Sequence, residues 1–276
     1  MFETPIALVI FRRPHLLQQI VDVLRVVQPA HMYVIADGAR TEADREKVAA
    51  ARSVIDTVDW ACTIQRLYSE PNLGVGERFP TGMDWLFSQV NEAIILEDDV
   101  LPHPSFFRFC AEILERYRAD ERVGLIGGAN HAGAPQPGQP SYRFTHSLWH
   151  QGLAMWRRTW AAYEHHCESW GRSDRPRHIL EARYTATHER ASYLAAVERA
   201  YRDPYNEAYD YKLSYSWTAA GQWAITPTCT SVCNIGFGAG GIHCLDPRHP
   251  DANLPIYEIP FPLIHPAVVP ERVTVD

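Results

Sequence analysis

The chain has 276 residues, of which 46% are hydrophobic and 21% charged. These are the proportions of an ordinary globular protein, excluding a fibrous repeat or a chain too polar to fold. A net charge of −7 without any Lys/Arg cluster gives no electrostatic footing for nucleic-acid binding. The longest early apolar run, residues 6–11, is much shorter than a membrane span and has no basic leader before it, so no transmembrane segment and a cytoplasmic location are expected. The six cysteines, at 62, 110, 167, 229, 233 and 244, form no CxxC pair. Cys229, Cys233 and Cys244 with His243 are too loosely spaced to favour zinc.

Short apolar runs alternate with helical patterns through the first half. Residues 6–11 read as a strand, and Pro14 opens a helix whose apolar positions Leu16, Leu17, Ile20, Val23, Leu24 and Val27 recur at helical spacing. A strand over 32–36 ends at the Asp37-Gly38 turn. A charged helix over about 42–55 and a strand over 63–68 follow. "SEPNLGVG" reads as a loop, with Pro80 delaying the next helix to about 83–90. A strand over 93–96, a helix over about 105–118 behind Pro102 and Pro104, and a buried strand over 123–127 complete the series. Strand, helix, strand repeated four times predicts an α/β fold, a mostly parallel sheet covered on both faces.

The second half differs. A Pro/Gly-rich loop over 133–142 precedes Trp149, Trp156, Trp160 and Trp170. A polar helical pattern over 178–201, a loop leading into a further helix, and short strands with a Gly-rich loop over 223–241 come after it. With no linker between the halves, the expectation is one domain over 1–276. Residues 1–130 form the ligand-binding half, and 131–276 an aromatic-rich elaboration.

Three acids, Glu97, Asp98 and Asp99, stand directly behind an apolar strand. Like charges in such a place need a cation or a cationic side chain, and a hard divalent metal with oxygen ligands serves well; the plainer reading has the acids capping the next helix or facing solvent. In parallel sheets ligands gather beyond the carboxyl ends of the strands. The triplet, Arg12 and Arg13, Asp37 and the loop at Asn72 all fall there.

The blocks "LVIFRRPHLLQQIVDVLR", "YVIADGAR", "NLGVGERFPTGMDWLF", "IILEDDVLPHPSFFRFCAEILERYRADERV", "MWRRTW" and "NIGFG" together resemble the bacterial nucleotide-diphospho-sugar transferases of the GT-A fold. That group is similar in its first half to N-acetylglucosaminyltransferase I. The resemblance spans about residues 5–245 and rests on the order of the blocks. It implies a glycosyltransferase with a GT-A, Rossmann-like sheet, using a nucleoside-diphosphate sugar, with UDP the nucleotide and Mn²⁺ or Mg²⁺ the cofactor. By the same resemblance Asp99 ligates the metal in a variant DxD motif, while Glu97 and Asp98 reach ribose or metal-bound water. Arg13 lies near the nucleotide, Asp37 meets the nucleobase with Arg40 beside it, and Asn72 and Gly74 approach base and ribose. His243 falls where relatives place a metal or diphosphate contact. Asp210, matching the family's "WDYQW" block, is the base of an inverting transfer.

Departures from the pattern are Arg12 for an Asn, Leu153 for a Trp, and "VGERFPTG" where a Lys-rich stretch is common. Two other readings compete: a sugar nucleotidyltransferase, against which the missing glycine in "FRRPHLL" counts, and a non-catalytic nucleotide-sugar-binding protein. The acceptor, whether sugar, lipid-linked glycan, peptide or small molecule, is left open. Trp149, Trp156 and Trp160 are candidates for a sugar-stacking platform, with the latter two expected in the core.

Overall fold

The computed structural model describes residues 1–184, 186–203, 209–238, 246 and 248–272. The chain opens with β1 (Ile6–Ile10), α1 (Pro14–Val27), β2 (His31–Ala36), α2 (Arg45–Val54), β3 (Thr63–Tyr68), α3 (Val75–Gln89) and β4 (Glu92–Glu97). Then come β5 (Val100–Pro102), α4 (Pro104–Arg116), β6 (Val123–Gly127), β7 (Tyr142–Thr145), β8 (Leu153–Trp156) and the short α5 (Arg157–Trp160). The helices α6 (Arg175–Arg183), α7 (Thr187–Arg202) and α8 (Tyr209–Ala219) precede β9 (Trp223–Pro227) and β10 (Val232–Asn234).

Eight strands form one sheet in the order β3-β2-β1-β4-β8-β6-β9-β7. The β1–β2, β2–β3, β1–β4 and β6–β9 pairs are parallel, while β8 runs antiparallel between β4 and β6, and β7 closes the edge antiparallel to β9. The result is the mixed α/β architecture expected, a mostly parallel sheet flanked by helices. The sheet draws on both halves of the chain, since β8 is inserted beside β4. Alternation along β1 shows why both faces are covered. Ile6, Leu8 and Ile10 pack with Leu17, Ile20, Leu24, Phe106 and Ile113 from α1 and α4. Ala7 faces the opposite cluster, where Phe79, Met83, Leu86, Leu213 and Trp217 from α3 and α8 pack. A third, smaller cluster joins Leu180, Tyr184, Val197 and Tyr215 across α6, α7 and α8.

Three expectations need correction. α3 begins at Val75, not near residue 83, and carries Pro80 inside it. Gly74, at φ 75°, makes the turn that starts the helix, and the missing proline N–H removes only one bond while Phe79, Met83 and Leu86 bury the face. The helical pattern over 178–201 is two helices, with Tyr184 at the end of α6 packed against Tyr193 of α7 at 4.6 Å between ring centroids. β5, β7 and β8 were not expected as strands. Their short polar-flanked runs carry little periodicity of their own, and their partners lie far away in sequence.

Candidate functional site

A cleft of about 810 Å³ opens beyond the carboxyl ends of β1, β2 and β4. Its lining includes Arg13, Asp37, Arg40, Asn72, Gly74, Glu97, Asp98, Asp99 and Asp210. Every residue to which the resemblance gives a role within the described chain is therefore in one place, while Arg12, the other strand-end candidate, is not among them. His243, expected as a metal contact, and Cys244 lie outside the described residues.

The counter-charge for the acidic triplet is Arg13. Its guanidinium donates from Nε to Asp98 Oδ1 at 2.9 Å and from Nη1 to Asp99 Oδ2 at 2.7 Å, and Nη2 also reaches Asp98. The Phe11 amide donates to Asp98 Oδ2 at 2.9 Å, so Asp98, with its side chain only 2% exposed, is paired on both oxygens. Desolvation pushes the Asp98 carboxyl above the usual carboxylate range, against the pull of Arg13. Burial opposes the Arg13 charge, but the fields of Asp98 and Asp99 raise its pKa regardless. Glu97 is pushed up to about 8, first by desolvation and then by the charge of Asp99, while the Tyr209 hydroxyl donates to it at 2.7 Å. At neutral pH one cation and a protonated Glu97 thus relieve much of the repulsion.

A roof closes over this cluster. β5 and β10 form a two-stranded ribbon, from which the Ile235 amide donates to the Asp99 carbonyl at 2.8 Å and Asn234 Nδ2 to Asp99 Oδ2 at 3.3 Å. Gly236, in the "NIGFG" block, sits so close that an added Cβ would stand 2.3 Å from Asp99 Oδ2 and 2.9 Å from Arg13 Nη1. Only glycine lets the chain pass over the ion pair.

At the β2 end Asp37 is buried and accepts from the Gly38 and Leu73 amides on Oδ1 and from the Gly74 amide and Asn72 Nδ2 on Oδ2, at 2.8–2.9 Å. Four donors fill a carboxylate's acceptor sites, so Asp37 ties the loop before α3 to the end of β2. Arg40 is exposed at the rim. Arg12 pairs with Asp44 and does not line the cleft.

Sequence reading overlooked several lining residues. Arg78 of α3 is buried, donates to the Leu67 carbonyl, and among the described residues has no partner for its Nε; desolvation pulls its pKa down. Tyr209 stacks on Phe79 with centroids 3.8 Å apart and carries its hydroxyl to Glu97. The cleft is also lined by His150, Tyr184, Tyr193 and Ser214, and by Trp149, already a stacking candidate from the sequence. The one available signal was His150 itself, a titratable residue inside the apolar, Trp-rich stretch. Trp149 is 49% exposed and stacks on His131, whereas Trp156 and Trp160 are core residues as expected. Arg157 and Arg158 bind backbone carbonyls away from the cleft.

The cleft offers hard oxygen donors, the type Mn²⁺ and Mg²⁺ prefer. Among the described residues no group of three or more His, Cys, Asp or Glu side chains converges as a closed metal cage. Among the described residues no helix is long and apolar enough to cross a membrane.

No protein-family model and no curated protein matches the chain. Among solved structures, UDP-glucose pyrophosphorylase complexed with UDP-glucose aligns over 81% of this chain and 90% of its own at 8% identity, with a TM-score of 0.40. 4-Diphosphocytidyl-2C-methyl-D-erythritol synthase from Anaerococcus prevotii aligns over 62% and 78% at 11% identity, TM-score 0.37. The galactosyltransferase LgtC, in complex with donor and acceptor sugar analogues, aligns over 60% and 63% at 13% identity, TM-score 0.34. Nucleotidyltransferases and a sugar transferase thus stand side by side at similar, low scores, and the likeness does not choose between them.

Proposed function

We propose that the protein is a metal-dependent glycosyltransferase that moves a sugar from a nucleoside-diphosphate donor, with UDP as nucleotide, to an acceptor hydroxyl with inversion. The observation that supports this reading is the convergence of Arg13, Asp37, Asn72, Glu97, Asp98, Asp99 and Asp210 on one cleft at the strand ends. Asp37 holds the 72–74 loop in place for the nucleoside, with Asn72, Gly74 and Arg40 beside it. Asp99 would hold Mn²⁺ or Mg²⁺, which when bound supplies Lewis-acid stabilisation of the leaving diphosphate. Arg13, already positioned by Asp98 and Asp99, meets the same developing charge. Asp98 fixes Arg13 from behind, and Glu97, hydrogen-bonded to Tyr209, faces the ribose side. Asp210 of α8 is the acceptor-side carboxylate that drives deprotonation of the attacking hydroxyl.

Asp99→Ala should abolish Mn²⁺-dependent UDP binding, measured by calorimetry, with the circular dichroism spectrum unchanged. Unaltered UDP affinity in that variant would sink the metal assignment. Pyrophosphate release from UTP and a sugar phosphate would identify a nucleotidyltransferase instead. UDP binding without any turnover would mark a binding protein.

A further inference from the structure

We infer that His150, in place of the Asp210 that the resemblance makes the base, takes the proton of the attacking hydroxyl, with Asp210 as its charge partner and Ser214 as its positioning residue. The inference deepens, and rests on, the glycosyltransferase reading. His150 lies in the loop between β7 and β8 and lines the cleft with Asp210 and Ser214. The two α8 residues are four positions apart and so share a helix face. Ser214 Oγ lies 3.1 Å from His150 Nε2, which fixes the ring and engages that nitrogen only. Nδ1 is outside this bond.

The titratable groups that line the cleft with the imidazole include Asp210 and Tyr211 on α8, Tyr184 at the end of α6, Tyr193 on α7, and Glu97 and Asp99. Desolvation pulls the imidazole pKa below 6.5, and Asp210 is the group whose charge works against that. At neutral pH His150 is therefore uncharged, with a lone pair to offer. A neutral, positioned imidazole is the side chain most often used as a general base. The division of labour follows. The acceptor O–H bond breaks and its proton goes to imidazole Nδ1. The oxygen lone pair forms the bond to the anomeric carbon, and the anomeric carbon–oxygen bond breaks with its electron pair leaving on the nucleoside diphosphate. The imidazolium is stabilised by the Asp210 carboxylate and returns its proton to solvent once product leaves.

The test uses UDP-glucose with Mn²⁺ and water as acceptor, following UDP release, alongside calorimetric UDP binding and an NMR titration of the His150 ring. His150→Gln should lower kcat by about 10²–10⁴-fold while UDP affinity changes less than about threefold. The wild-type rate should fall as pH drops through the imidazole range, and that limb should vanish in the variant. Asp210→Asn, by removing the charge that favours the imidazolium, should move the His150 titration to lower pH. Ser214→Ala, which keeps the imidazole, should keep the acid limb at a reduced rate, and it serves if His150→Gln does not fold. A kcat within about threefold of wild type in His150→Gln overturns the inference, as does an unmoved His150 titration in Asp210→Asn. A wild-type protein that binds no UDP overturns the glycosyltransferase reading itself. UDP binding with a silent His150→Gln effect removes only the role of His150.

Discussion

Arg13→Gln is the most informative single change in the acidic cluster. The substitution removes the only cation that touches Asp98 or Asp99 among the described residues and leaves the Phe11 amide as the one remaining donor to Asp98. The Asp98 side chain is 2% exposed and that of Arg13 is 15% exposed, so solvent does little to screen the orphaned charge. Breaking a buried pair from one side costs about 3–5 kcal/mol, whereas removing both charges is much milder. Against a typical stability of roughly 5–15 kcal/mol the single variant still folds. Urea denaturation of the wild type, Arg13→Gln, Asp98→Asn and the double variant, in the presence of a chelator, forms the cycle. The double variant should be more stable than the sum of the singles by about 1–3 kcal/mol. Additive losses, or a loss below about 1 kcal/mol in Arg13→Gln, would refute the view that Arg13 is what makes the triplet tolerable.

Asp37→Ala leaves four donors without their acceptor. It should cost roughly 3 kcal/mol and speed hydrogen exchange at the Leu73 and Gly74 amides before any other region responds. Gly236→Ala places a methyl group against Asp99 and Arg13; it should lower stability by about 1–3 kcal/mol and weaken Mn²⁺-dependent UDP binding, read by calorimetry. Glu97 should show itself in the pH profile of the chelator-treated protein. Its folded pKa of about 8 lies above the unfolded carboxylate value, so the folded state holds the proton more tightly. The stability it contributes is complete below pH 4.5 and is lost as pH rises through 8. Glu97→Gln, which stays neutral and still accepts from Tyr209, should flatten that loss and raise Tm at pH 9, with each kcal/mol read as about 2–4 °C. Equal slopes in the two proteins would remove the assignment.

The parallel half of the sheet was legible from local pattern. β1, α1, β2, β3, β4, α4 and β6 each carry their own periodicity, and the polar residues that follow the strands had to meet once the strands became parallel neighbours. The triplet announced a missing cation for the same local reason. Which cation answered it was not legible, because Arg13 and Asp98 are 85 positions apart and meet only through the β1–β4 pairing. The strands β5, β7 and β8 escaped notice because they are defined by partners rather than by themselves. Likewise nothing in the "SLWHQG" stretch says that His150 will stand beside Ser214 of a helix 64 residues later. The sequence by itself determined the α/β class and a strand-end site rich in carboxylates, since hydrophobic periodicity and turn chemistry are properties of neighbouring residues. Only the tertiary structure decided that Asp37 ties down a loop, that Arg13 neutralises the acids, and that His150 and Asp210 share one wall. Charge pairing, desolvation and hydrogen-bond saturation are properties of residues brought together from distant parts of the chain.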